Sequence, residues 1–359
     1  MTVRFRPVLA SLPAYVPGRS SPGAIKLASN ENPYGPLPHV LDRIAEAAAA
    51  SNRYPDTNAT ELMHALAEKY GVRPEQVALG CGSVSLCQQL VLATAGAGDE
   101  VLFAWRSFEA YPIVTLIGGA SPAQVPLRGQ THDLTAMAEA ISDRTRLIFV
   151  CNPNNPTGTV VPAGELTGFL DRVPPDILVV LDEAYREFVT DNSVADGLSL
   201  LDRYPNLIVL RTFSKAYGLA GLRVGYGIAA DPAVITAARQ TQTPFTVTGI
   251  AQAAALASLE EVAEKQLAER VAELIAERGR VLVELRGLGY QVPESQANFV
   301  WLPDGPAADG AVDTIAFAAG CERRGLLVRA FAGSGVRITI GSRAENDRLI
   351  SAARELRAG

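Results

Sequence analysis

Lys215 stands in the segment Arg211-Thr212-Phe213-Ser214-Lys215-Ala216-Tyr217-Gly218, with Gly221, Arg223 and Gly225 close behind. A lysine set among small hydroxyls and glycines, rather than among other charges, suits a close-packed site. There, desolvation and neighbouring cations lower its pKa, and its neutral amine can condense with a carbonyl group to form an imine. Arg223 can grip a phosphate through paired N–H donors. Upstream, Asp182-Glu183-Ala184-Tyr185 follows an apolar run at 177–181. Isolated buried carboxylates are costly, so an acid at the end of such a run points to a use for its charge. Gly80-Cys81-Gly82-Ser83 is a small-residue turn opening a helix, where exposed N–H groups form a phosphate cradle; the same residues also read as a plain strand-to-helix turn. Asn152-Pro153-Asn154-Asn155-Pro156-Thr157-Gly158 is polar and rigid, and by itself reads as a proline turn.

Ligands of open α/β sheets bind beyond the carboxyl ends of the strands, so these motifs need strands ahead of them. Strands are predicted over 77–79, 101–104, 123–125, 146–150, 177–181, 207–210 and 224–228, alternating with helical stretches. Several are continuously apolar, as expected when helices cover both faces of a parallel sheet. The spacing of Leu267, Val271, Leu274, Arg278, Val281 and Leu285 predicts a long amphipathic helix over 261–285. A strand over 298–302, a helix over 312–323, strands over 326–329 and 335–340 and a closing helix from 343 make up a second, smaller α+β unit. The expected division is an arm (1–38) packing with the small domain, a large sheet domain (39–260) and a small domain (261–359).

Composition narrows the chemistry. The 359 residues are 48% hydrophobic and 19% charged, with a formal net charge of −6. This balance, without a basic run, argues against nucleic acid or anionic lipid as the main partner. The histidines are His39, His64 and His132 and the cysteines Cys81, Cys87, Cys151 and Cys321, none paired at metal-ligand spacing, so no metal site is expected. Sparse cysteines in apolar surroundings suggest a reducing, cytoplasmic compartment. Pro7, Pro13 and Pro17 break the N-terminal stretch, which holds no signal-peptide core. No apolar run approaches the roughly 18 residues of a membrane span.

Four features in order, Leu27-Ala28-Ser29-Asn30-Glu31-Asn32-Pro33-Tyr34-Gly35, Asn155-Pro156-Thr157-Gly158, Asp182-Glu183-Ala184-Tyr185, and Ser214-Lys215 with Arg223, resemble the fold-type I aminotransferases that use pyridoxal 5′-phosphate (PLP). Specifically, the chain resembles the histidinol-phosphate aminotransferase family with its aromatic branch, over nearly its whole length. The resemblance implies an α/β fold: a mostly parallel seven-stranded sheet with helices on both faces, plus the smaller α+β domain. It implies that Lys215 carries PLP as an imine and then serves as general acid/base. Asp182 would pair with the pyridine nitrogen, while Asn155 and Tyr185 bond the phenolic oxygen. Gly82, Ser83, Thr212, Ser214 and Arg223 would hold the phosphate, and Phe108 would stack on the ring. Tyr54 matches a tyrosine that reaches the phosphate of a neighbouring subunit, which implies a homodimer. Arg337 would clamp the substrate α-carboxylate, with Arg329, Tyr15 and Asn32 lining the substrate pocket. Taken singly, Arg337 reads as a solvent-facing strand residue, Tyr54 as a turn tyrosine, Phe108 as core and Arg329 as the partner of a surface carboxylate.

Where histidinol-phosphate enzymes commonly have Asn and an Asp-Glu pair, this chain has Cys81 and Val84-Ser85. That stretch, with Trp105-Arg106-Ser107-Phe108-Glu109-Ala110-Tyr111 and Gln296-Ala297-Asn298-Phe299-Val300-Trp301-Leu302, resembles the aromatic, phenylalanine-type branch. The expected reaction is amino transfer between an aromatic L-amino acid and a 2-oxo acid, 2-oxoglutarate foremost. Histidinol phosphate is the alternative donor, since Arg329 could meet either a distal phosphate or the second carboxylate of glutamate. A different class, a nicotinamide-dependent dehydrogenase, rests on Gly225-Tyr226-Gly227-Ile228-Ala229-Ala230. That match lies late in the sheet, and Asp231-Pro232 interrupts the turn where a phosphate-binding helix should be under way. A DNA-binding regulator of the same fold would need an added domain, for which the segment ahead of the arm motif leaves no room.

Overall fold

The computed structural model describes residues 3–10, 12 and 23–358. Its strands are β1 (Ile25–Leu27), β2 (Val77–Gly80), β3 (Glu100–Trp105), β4 (Ser121–Pro126), β5 (Thr145–Cys151), β6 (Leu178–Asp182), β7 (Leu207–Thr212), β8 (Gly225–Ala229), β9 (Phe299–Pro303), β10 (Leu326–Phe331) and β11 (Gly335–Thr339). The larger sheet has seven strands in the order β2-β8-β7-β6-β5-β3-β4. All of them run parallel except β8, which is antiparallel to both neighbours. The mostly parallel seven-stranded sheet expected from the sequence is therefore present.

Alternation along each strand divides the core in two. Leu102, Ile148, Val150, Val179, Leu181 and Val209 face one helical layer, and Phe103, Phe149, Leu178, Val180, Ile208 and Leu210 face the other. With both faces covered, β6 and β7 are buried at every position, which explains their continuous apolar runs. Each such side chain contributes about 1.5–3 kcal/mol of burial.

The long helix Glu261–Gly287 passes through Gly279 without a break, and all six residues of the expected stripe are buried. Arg278 is the polar member of that stripe; it donates to the carbonyls of Phe188 (2.9 Å) and Ala297 (3.0 Å). Beyond the helix lies a four-stranded sheet ordered β1-β10-β11-β9. Its edge strand β1, inside the segment expected to be an arm, pairs in parallel with Leu326–Val328. Three residues are too few for a period to be seen; the partner strand makes them a strand.

Candidate active site

Because β2 and β3–β7 are mutually parallel, their carboxyl ends share one edge of the sheet, and β8 begins at that edge. Gly82 and Ser83 follow β2, Phe108 follows β3, Asn155 follows β5, Asp182 ends β6 with Tyr185 beyond it, Thr212 to Lys215 complete β7, and Arg223 precedes β8. The topology thus brings together residues from six separate segments.

At the β2–β8 end, Ser83 opens the helix Ser83–Thr94, with Gly82 at φ 72°. A Cβ on Gly82 would collide with the Arg223 guanidinium, and one on Gly225 would collide with the Ser83 amide. Only glycine lets arginine, helix end and strand approach so closely. Arg223 donates from Nη1 to Ser214 Oγ (3.2 Å), Thr212 Oγ1 donates to Ser214 Oγ (3.0 Å), and Ser214 N–H donates to Thr212 Oγ1 (3.1 Å). Two hydroxyls, a guanidinium and a helix N-terminus form a donor set matched to a phosphate.

Asp182 is buried, and burial pushes its carboxyl above the usual range. Opposing this, Tyr111 donates from Oη to Oδ2 (2.8 Å), Ala184 N–H donates to Oδ1 (3.2 Å), and the Lys215 charge also favours the carboxylate. Tyr111 was not among the expected site residues. It is fully buried, stacks on Phe149 (4.3 Å between centroids, 4° between planes) and meets the edge of Phe108 at 5.5 Å. Its place three residues after Phe108 is visible in the sequence, and so are the strands that carry Phe149 and Asp182; that the sheet sets both against it is a long-range arrangement no local pattern records. Phe108 itself lies just ahead of the helix Ala110–Gly118.

Lys215 Nζ donates to the Ser29 carbonyl at 3.4 Å. Burial, then the charges of Arg337 and Arg223, bring its pKa down to about 7, against the opposing pull of Glu31 and Asp182. Its amine lies 5.8 Å from the Tyr185 ring centroid.

Directional hydrogen bonds orient the remaining groups. Thr339 Oγ1 donates to Asn30 Oδ1 (3.2 Å), and Asn30 Nδ2 in turn donates to Tyr185 Oη (2.9 Å). Tyr185 therefore accepts from the arm and keeps its own proton to donate toward the site. Arg337, on β11, donates from Nη1 to Asn155 Oδ1 (2.6 Å) and from Nη2 to the Ala28 carbonyl (2.7 Å). With its oxygen committed, Asn155 presents its NH2 group. Arg337 is buried rather than solvent-facing.

The other expected residues lie less centrally. Asn32 spends its side chain on backbone, donating to the Ala216 carbonyl (2.9 Å) and accepting from Tyr34 N–H (3.0 Å). Asn30, two residues earlier, is the one that reaches Tyr185. Arg329 pairs with Glu109 at 3.0 Å. Tyr54 is 84% exposed, stacks on Phe245 at 4.7 Å and, among the described residues, hydrogen-bonds to none of the cluster. Tyr15 lies outside the described residues. Among the described residues no group of His, Cys, Asp and Glu side chains could hold a metal ion, and no helix is long and apolar enough to cross a membrane.

Residues 22–352 match the family described as Aminotransferase class I and II. The chain is 56% identical over 359 residues to an aromatic amino acid aminotransferase of Streptomyces coelicolor, covering 99% of this chain and 98% of that protein. It is 57% identical to the protein of the same name from Rhodococcus jostii, covering 98% and 96%. Its fold is similar to that of histidinol-phosphate aminotransferase from Sinorhizobium meliloti in complex with pyridoxal-5′-phosphate, at a TM-score of 0.89 and 30% identity, covering 100% and 98%.

Proposed function

The chain belongs to the class I and II aminotransferases, and from that membership we propose that it moves the amino group of an aromatic L-amino acid, such as phenylalanine, to a 2-oxo acid, 2-oxoglutarate foremost, with PLP as cofactor. The observation that carries this reading is the convergence of Lys215, Asp182 and Arg337 beside the Gly82–Arg223 cradle. The residues fit PLP at each end: phosphate donors where a Cβ would leave no room, and at Asp182 a carboxylate held by two donors.

When bound, PLP supplies an aldehyde for an amine to condense with and an electron-poor ring that takes up the electron pair of the broken Cα–H bond. The chain supplies the rest. Asp182 would keep negative charge at the ring nitrogen, while Tyr185 Oη and Asn155 Nδ2 would donate to the phenolic oxygen. Arg337 engages the substrate α-carboxylate through its planar fork, orienting the Cα proton toward Lys215. Lys215 Nζ would be the group that takes up and gives back that proton; an amine whose pKa is brought down to about 7 suits both directions at neutral pH. The arm is bonded at Ala28 to Arg337 and at Ser29 to Lys215, which fixes both side chains beside the site.

The exposed Tyr54–Phe245 stack supports a homodimer in which Tyr54 reaches the neighbouring phosphate; sedimentation at twice the chain mass checks it. Four cysteines outside any disulfide fit a cytoplasmic enzyme. Histidinol phosphate is the second reading, favoured by Arg329. Comparing kcat/KM for phenylalanine and histidinol phosphate with 2-oxoglutarate separates the two. We expect phenylalanine to lead by at least about tenfold; the reverse preference would overturn the substrate assignment.

A further inference from the structure

Three arginines crowd one aromatic ring beside the proposed carboxylate clamp. The guanidinium carbons of Arg106, Arg329 and Arg337 lie 5.3, 5.6 and 5.6 Å from the Phe331 centroid. Arg329 and Arg337 are direct cross-strand partners on β10 and β11, so their side chains leave the same face of the small sheet. Arg106 also lies 4.9 Å over Trp105, and its Nε donates to Ser334 Oγ at 3.0 Å. Among the described residues, one carboxylate enters this cluster. Glu109 Oε2 accepts from Arg329 Nη2 at 3.0 Å, with side chains 33% and 18% exposed. The same acid faces Arg106: burial lowers the Arg106 pKa, and the Glu109 charge opposes that while Arg329 adds to it.

An aminotransferase that takes phenylalanine and 2-oxoglutarate must accept, in one pocket, an uncharged ring in one half-reaction and a second carboxylate in the other. A ring is penalised by an unpaired buried cation, and a carboxylate requires one. We propose that Glu109 is a specificity-determining residue. It holds Arg329 charge-paired over Phe331, beside Arg106, when an aromatic side chain occupies the pocket, and it yields Arg329 to the second carboxylate of a dicarboxylic substrate. Arg329 is charge-paired in both states, and Glu109, already one-third exposed, passes to solvent at modest cost. This rests on the reading of Arg337 as the α-carboxylate clamp.

The test uses the PLP-loaded enzyme and its Glu109→Gln variant. Glu109 precedes the helix Ala110–Gly118 and makes no side-chain cap bond there, so the isosteric change leaves the helix intact. Two readouts are taken: kcat/KM for glutamate against phenylalanine, and the binding of the non-reacting probes succinate and 3-phenylpropionate. In E109Q the glutamate-to-phenylalanine ratio should rise about tenfold, the scale of one hydrogen bond to a charged group. Succinate should bind tighter by a similar factor, while 3-phenylpropionate should not. Adding Arg329→Met should abolish the gain. If E109Q moves both substrates equally, or if the gain survives in E109Q/R329M, the inference is overturned while the aminotransferase reading stands. If the unaltered enzyme fails to transaminate phenylalanine, that reading falls first and takes the inference with it.

Discussion

Lys215 has its pKa lowered to about 7 by burial and by Arg337 and Arg223. Only the neutral amine attacks an aldehyde, so the rate at which the apo chain takes up PLP should climb with pH through about 7 and level off above it. The inflection is read by following the cofactor's absorbance after mixing. Arg337→Met removes one of the two charges that depress the pKa and should move that inflection to higher pH; an inflection that stays in place would remove Arg337 from the cause. The amino-acid string shows Lys215, Asp182 and Tyr185 because the chemistry demands those side-chain types. It does not show Tyr111 or Asn30 in their roles. A phenol and an amide are ordinary residues until the fold aims one at Asp182 and the other at Tyr185.

Between residues and molecule stand the ends of β6 and β7. Asp182 and Thr212 face the site, and their immediate neighbours Glu183 and Arg211 point to the opposite side of the sheet, where Arg211 bonds Glu183 Oε2 through Nε (3.0 Å) and Nη2 (2.7 Å). Both side chains are almost fully buried. Glu183 also accepts from Gly197 N–H at 2.8 Å, and Arg211 reaches Asp196 at 2.6 Å. This pair ties the acid-bearing strand to the lysine-bearing one. Arg211→Met leaves Glu183 buried without its cation, which costs about 3–5 kcal/mol. The denaturation midpoint should fall accordingly, and Arg211→Met with Glu183→Gln should recover most of the loss, since the amide carries no uncompensated charge and still accepts from Gly197 N–H. A single variant with an unchanged midpoint would show that the tie is idle. The strands themselves are legible in the sequence because burial on both faces leaves continuous apolar runs. The three-residue β1 is not, because its pairing with β10 is a long-range event that no local period records.

At the scale of the whole molecule, Arg337 from the smaller sheet meets Asn155 beyond β5 of the larger, with the arm bonded at Ala28 to Arg337 and at Ser29 to Lys215. The scarcity of histidine and cysteine suits a protein in which a cofactor takes up electrons and one lysine moves the proton. Lysine is scarce as well: besides Lys215 the chain has only Lys26, Lys69 and Lys265. This makes a direct test of the central claim possible. The purified chain is loaded with PLP, reduced with borohydride to fix any imine, digested and mapped by mass spectrometry, before and after excess L-phenylalanine. The account predicts the cofactor on the Lys215 peptide alone, and its loss from that peptide, with release of phenylpyruvate, once phenylalanine is added. Label on Lys26, Lys69 or Lys265, or label on Lys215 that phenylalanine cannot displace, would contradict it.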